Sequence, residues 1–239
     1  MRRVLVTRPE PGASITAAKL LQLGFEPVVL PLTRIVALPL TEWPPPRTFG
    51  AAAVTSANAI RHAPAGLLKE LAHLPVYAVG ETTGEVARKA GLRVAVSQAG
   101  DAEHLAQRIA EAAAPGTRIL LLCGRLRRDR LEQDLAGAGF GVVPLETYDT
   151  VKVPLAEGEL HDAVSGAPID AVLLYSAVAA ELFANLATRG PVAPLLESAN
   201  YFVISERVAR VLPKAIAGRA HIAREPTEEA VLSMLEGRG

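Results

Sequence analysis

The chain has 239 residues, half of them hydrophobic, and its 25 basic residues are balanced by 25 acidic ones. That length fits one large domain or two small ones, with ample apolar content for a packed core. A net charge of zero gives no global field to attract nucleic acid or a membrane surface, so neither is expected as a partner. An anionic ligand must instead be met by local groups. Of the basic residues 20 are Arg and 5 are Lys, and Arg suits carboxylates, although codon bias in an Ala- and Arg-rich genome is the plainer account of the excess. The single cysteine, Cys123, excludes an internal disulfide and a Cys-based zinc site. Only Val4, Leu5 and Val6 separate Arg3 from Thr7, too few for a signal-peptide core. No apolar run reaches the ~18 residues of a membrane span. The expectation is a soluble, cytoplasmic protein.

In chain order, Val4 to Val6 reads as a buried strand. A helix from about Ser14 to Leu23 follows, with Gly24 as its C′ residue. Further strands are predicted at Val28 to Leu30, Ala51 to Val54, Val76 to Val79, Val94 to Val96, Ile119 to Leu122, Val142–Val143, Ala171 to Leu174, Phe202 to Ile204 and Ile222–Ala223. Most are continuous apolar runs, which is the pattern of strands covered on both faces in a parallel sheet. Their alternation with helical patterns argues for βαβ units.

The two halves repeat. Val4-Leu5-Val6 aligns with Ile119-Leu120-Leu121, and Leu20, Gly24 and Phe25 align with Leu135, Gly139 and Phe140. Val54-Thr55-Ser56 aligns with Leu174-Tyr175-Ser176, and Val79-Gly80 with Ile204-Ser205. Two copies are too few for a solenoid; two similar α/β domains fit. Pro31 to Val36 and Pro144 to Asp149 occupy matching places and are extended by their proline and β-branched content, so they read as interdomain connectors.

Val6-Thr7-Arg8-Pro9, Leu23-Gly24-Phe25-Glu26-Pro27, Thr55-Ser56-Ala57-Asn58-Ala59, Val79-Gly80-Glu81-Thr82-Thr83, Gly124 with Arg128-x-x-Leu131-x-x-x-Leu135, Tyr148-Asp149-Thr150, Tyr175-Ser176 and Pro226-Thr227-Glu228-Glu229-Ala230 appear in this order. As an ordered set they resemble the uroporphyrinogen-III synthases over nearly the whole chain. The resemblance implies two flavodoxin-like α/β domains with parallel sheets flanked by helices and joined by two connector strands. One domain is discontinuous, with residues 1–36 and 150–239 forming one and 37–149 the other. It also implies a monomeric lyase that needs no cofactor. Such an enzyme cyclises hydroxymethylbilane to uroporphyrinogen III in the interdomain cleft, with hydroxymethylbilane synthase as a transient partner.

Ligands of open parallel sheets bind beyond the carboxyl ends of the strands, where helix N-termini offer unpaired N–H groups. Arg8, Thr55, Ser56, Asn58, Gly80, Thr83, Arg128, Ser176 and Ser205 all fall there, and they are the expected substrate-binding set for eight carboxylates. Ser and Thr at such turns also serve as N-caps, Gly80 also permits a tight turn, and Arg8 has Glu10 at hand as an ion-pair partner. Tyr148, in the second connector, is the expected catalytic residue; a packing role at the hinge is its alternative. Val208 stands where relatives carry a hydroxyl, so Ser205 or backbone N–H groups must serve that helix start. The five histidines are scattered without ligand spacing and are expected to be exposed, and no metal site is expected. Two other readings stay open at this point: a two-domain binding protein without chemistry, and a relative of the synthases with a degenerate cleft.

Overall fold

A computed structural model describes residues 1–155, 157–187 and 190–237. The elements, in order, are β1 (Arg3–Val6), α1 (Gly12–Gln22), β2 (Glu26–Val29), β3 (Thr33–Ala37), β4 (Ala51–Val54), α2 (Ala57–Arg61), α3 (Ala65–Leu71), β5 (Pro75–Ala78), α4 (Glu81–Lys89), β6 (Arg93–Val96) and α5 (Ala102–Ala112). They continue with β7 (Arg118–Gly124), α6 (Arg130–Gly137), β8 (Gly141–Lys152), α7 (Glu157–Ala163), β9 (Ala171–Leu174), α8 (Ala177–Ala187), β10 (Asn200–Val203), α9 (Glu206–Ala209), α10 (Lys214–Ala217), β11 (Ala220–Ile222) and α11 (Glu228–Glu236). The chain divides into two compact units, Met1–Arg34 with Val151–Gly239, and Ile35–Thr150. The division falls inside β3 and inside β8.

The first unit holds a five-stranded sheet in the order β11-β10-β9-β1-β2, with every neighbouring pair parallel. Its runs are continuously apolar because both faces are covered. Leu5, Val172 and Leu174 pack into one cluster with Phe183 and Tyr201. Val4, Val6, Ala171 and Leu173 pack into another with Leu20, Phe202 and Leu235. Numbered along the unit, the order is 2-1-3-4-5, the flavodoxin-like winding, and its direction switches between β1 and β9.

The second unit holds a six-stranded sheet in the order β3-β8-β7-β4-β5-β6. β8, β7, β4, β5 and β6 run parallel. Here too the faces alternate: Ala52, Val54, Leu120 and Leu122 face one cluster, and Ala51, Ala53, Ile119, Leu121 and Cys123 the other. From the central pair β7 and β4 the chain winds outward in opposite directions, so the switch point lies between them.

The repeat seen in the sequence is reproduced at the helix ends. After α1, Gly24 takes φ +79, its N–H bonds Leu21 O and the Phe25 N–H bonds Leu20 O. After α6, Gly139 takes φ +84, with Gly139 to Ala136 O and Phe140 to Leu135 O. Both are Schellman closures, which need a residue tolerant of positive φ at C′. Phe25 and Phe140 are then carried into their cores.

Two expectations need correction. Val142–Val143 is the start of a twelve-residue strand that runs through Pro144 to Lys152, because β8 continues into the segment read as a separate connector. The histidines are not all exposed: His73 and His104 are, while His62, His161 and His221 are half-buried. Among the described residues no helix is long and apolar enough to cross a membrane.

Candidate functional site

The expected site residues sort by unit. In the second unit β4 ends at Val54, and Thr55 and Ser56 turn the chain into α2. The Ser56 hydroxyl accepts the Asn58 N–H at 3.2 Å, an N-cap. The Asn58 side chain accepts from Arg61 at 3.1 Å. Thr55 lines a cavity of about 410 Å3 together with Asp101, Glu103, Arg127, Arg128, Arg130 and Leu131. This cavity sits at the switch point, where the carboxyl ends of β4 and β7 meet the start of α5. Asp101, not anticipated from the sequence, caps α5 by accepting the His104 N–H at 2.9 Å.

The four guanidinium groups of this stretch differ in what they do. Arg125 pairs with Glu146 at 3.2 Å. Arg127 bridges Glu132 at 2.8 Å and Glu146 at 2.9 Å. Arg130 pairs with Asp134 at 2.7 Å and Glu103 at 3.1 Å. Arg128 is exposed and has no ion pair or hydrogen bond among the described residues. It is therefore the uncommitted cation of the cavity wall. Its neighbours hold the loop in shape, and their hydrogen bonds, that of Arg127 foremost, keep the Glu146 carboxyl below its ordinary value.

Tyr148 lies on β8 beside Gly124, the last residue of β7. It is 9% exposed and belongs to the cluster of Val54, Ile60 and Leu122. Burial raises its phenol above the usual value, and the nearby Ser56 side chain works in the opposite direction. The His62 ring stands 6.2 Å away, tilted by 38°. Gly80 caps α4 in extended backbone, with open space where a Cβ would project. Thr83, in the first turn of α4, is 6% exposed.

In the first unit Arg8 follows β1 and Ser176 follows β9. The Arg8 guanidinium lies 4.5 Å over the Tyr175 ring and pairs at 3.0 Å with Glu228, the first residue of α11. The partner weighed in the sequence, Glu10, instead accepts from the Ser14 backbone at 3.0 Å. Lys19 reaches Glu228 at 2.5 Å, and the Thr16 hydroxyl donates to the same carboxylate. Nothing in the sequence singled out Glu228 as an anchor, because its partners lie on the loop and helix after β1. Burial pushes the Tyr175 phenol far above its usual range. Ser176 accepts the Ala179 N–H at 3.1 Å and so caps α8. Ser205 precedes α9 without a side-chain cap bond. Val208 is wholly buried in the core, which accounts for an apolar residue at that helix position. Among the described residues no group of three or more His, Cys, Asp or Glu side chains is placed to hold a metal ion.

Two doubly wound sheets, with hydroxyls, helix N-termini and an unpaired guanidinium at strand carboxyl ends, define an open-sheet α/β protein suited to anionic ligands. A family model described as uroporphyrinogen-III synthase HemD matches residues 14–233. A uroporphyrinogen-III synthase of Chlorobaculum parvum is 30% identical over 198 residues, covering 74% of this chain and 80% of that protein. The crystal structure of the Helicobacter pylori uroporphyrinogen-III synthetase superposes with a TM-score of 0.68 at 19% identity over 100% of both chains. A mutant uroporphyrinogen III synthase of Thermus thermophilus gives 0.60 at 20% identity, over 100% of this chain and 97% of that one. The chain belongs to the uroporphyrinogen-III synthase family, whose members are cyclising lyases of tetrapyrrole biosynthesis.

Proposed function

We propose that this chain closes hydroxymethylbilane to uroporphyrinogen III with inversion of ring D and release of water. The terminal hydroxyl leaves to give an azafulvene-like cation. Ring D is attacked at its substituted carbon, the spiro intermediate fragments, and the ring recloses inverted. The unaided substrate cyclises without inversion, so the protein's contribution is positioning and electrostatic preorganisation rather than a covalent intermediate. Arg8, Thr55, Ser56, Asn58, Gly80, Thr83, Arg128, Ser176 and Ser205 are the proposed carboxylate-binding set, within domains of residues 1–36 with 150–239 and of 37–149. Tyr148 is the proposed general acid toward the departing hydroxyl. A phenol titrates near ~10 and burial raises this one further, so it is protonated at neutral pH and able to donate. The reading includes a cytoplasmic enzyme that takes its labile substrate in a transient encounter with hydroxymethylbilane synthase.

The observation that carries the reading is that the carboxyl end of β7 has a buried phenol, Tyr148, beside its last residue, Gly124, and four residues further on the uncommitted Arg128 of the cavity wall. One is a proton donor, the other a carboxylate receptor. The test is to supply enzymatically generated hydroxymethylbilane, oxidise, and resolve the type I and type III isomers. A type III excess is expected; a product mixture equal to the enzyme-free control refutes the reading.

A further inference from the structure

We infer that Gly124 is a positioning residue for Tyr148: its bare backbone is the surface on which the phenol lies, and a side chain there would displace the reactive hydroxyl. The inference rests on the reading that this hydroxyl assists loss of water.

Three features of the second unit converge on it. The first is contact. A Cβ built on Gly124 would come within 2.6 Å of Tyr148 Cζ, 2.8 Å of Cε2 and 2.9 Å of the hydroxyl oxygen. Gly124 is not at positive φ, so the need for glycine is set by the ring and not by the backbone. The second is register. β7 and β8 pair residue for residue from Arg118 with Gly141 to Cys123 with Glu146, and then the register shifts so that Gly124 faces Tyr148. A bulge of this kind re-aims one side chain where a regular ladder would present its neighbour. Thr147 is the residue passed over. It is wholly buried, and its hydroxyl donates to Ala59 O at 2.9 Å, which pins the bulge to α2. The third is closure. The Arg125 N–H donates to Tyr148 O at 2.8 Å, so the backbone on either side of the ring is tied down. The ring thus lies on a flat glycine and belongs to a strand whose backbone is fixed around it.

The experiment compares wild type, Gly124→Ala, Tyr148→Phe and the double variant in the isomer-resolved hydroxymethylbilane assay. Gly124→Ala is expected to lower kcat about ten- to a hundred-fold, as Tyr148→Phe does, with KM within about twofold. The double variant is expected to fall no further than the weaker single variant, because both remove one contribution. A Gly124→Ala enzyme with kcat within about twofold of wild type, or a double variant in which the two losses multiply, overturns the inference alone. An inactive wild type overturns the functional reading, and a Tyr148→Phe enzyme with the kcat of wild type overturns the acid role, each taking this inference with it. Should Gly124→Ala unfold, its melting temperature is compared in a Tyr148→Ala background. The destabilisation should vanish there; a penalty that persists without the ring shows that the ring is not what Gly124 accommodates.

Discussion

Arg8 and Glu228, 220 residues apart, meet at 3.0 Å and so join the loop after the first strand to the start of the last helix. The Tyr175 ring lies beneath the guanidinium, and Lys19 and Thr16 share the carboxylate. Both partners are largely sheltered from solvent, so the pair is worth more than an exposed one. Arg8→Ala should lower the unfolding free energy by about 1.5 kcal/mol, the lower end for a hydrogen bond to a charged group. Urea denaturation checks this; an unchanged midpoint would mean that Lys19 and Thr16 alone hold Glu228.

Tyr148→Phe keeps the ring that packs against Gly124 and removes only the hydroxyl. It should reduce kcat about ten- to a hundred-fold, the low end of general-acid assistance, since the substrate already tends to lose water. Steady-state kinetics with isomer analysis tests it. A kcat equal to wild type makes Tyr148 a packing residue. Normal consumption with type I product assigns it to guiding ring D.

Arg128→Ala should raise KM roughly ten- to a hundred-fold, in line with ~1.5–3 kcal/mol for a charge-assisted bond. Stability should stay as it is, because Arg128 has no partner to lose among the described residues. Arg127→Ala should behave in the opposite way and destabilise the fold, since it strips a donor from both Glu132 and Glu146. Equal KM values for wild type and Arg128→Ala would remove this residue from the binding set.

The lowered carboxyl of Glu146 gives an acid-stability prediction. A carboxyl titrating below its ordinary 4.5 when folded contributes stability that is complete above that value. The contribution is lost as pH falls through the folded value. Glu146→Gln should therefore flatten the acid limb of a melting-temperature profile below about 4.5 and leave its shape at neutral pH unchanged. Parallel acid limbs for the two proteins would show that Glu146 does not contribute there.

Cys123 is wholly buried, and burial pushes its thiol up to about 11. Native protein should resist iodoacetamide at neutral pH and react once unfolded, and Cys123→Ser should retain most activity. Rapid stoichiometric alkylation of the folded protein would contradict the burial.

The sheets were legible because their strands are covered on both faces, which writes them as unbroken apolar runs such as Ala51 to Val54 and Ile119 to Leu122. Gly24 was legible as a helix stop for an equally local reason, its φ of +79. The length of β8 was not, because Pro144 and the polar residues after it look like a linker until the neighbouring strands are known. At the site, Thr55 and Arg128 were expected and do line one cavity. Which guanidinium is free could not be read, because that depends on carboxylates brought from α5, α6 and β8. Glu228 was missed for the same reason, and the fit of Tyr148 on Gly124 depends on a register shift that leaves no mark in composition.

The first unit takes strands from both sides of the second. β1 and β2 are made early, yet β1 has β9 as its other neighbour, with Val4 beside Ala171 and Val6 beside Leu173. On a ribosome the opening βαβ segment must therefore wait, one edge of β1 uncovered, while the whole of Ile35–Thr150 emerges. The intervening unit has every strand of its sheet's centre within that span and is able to fold meanwhile. Nascent chains arrested once Thr150 has cleared the ribosome, with β9 still inside it, should carry a protease-resistant middle and a cleavable leading segment, a division of labour in time that the finished protein no longer displays.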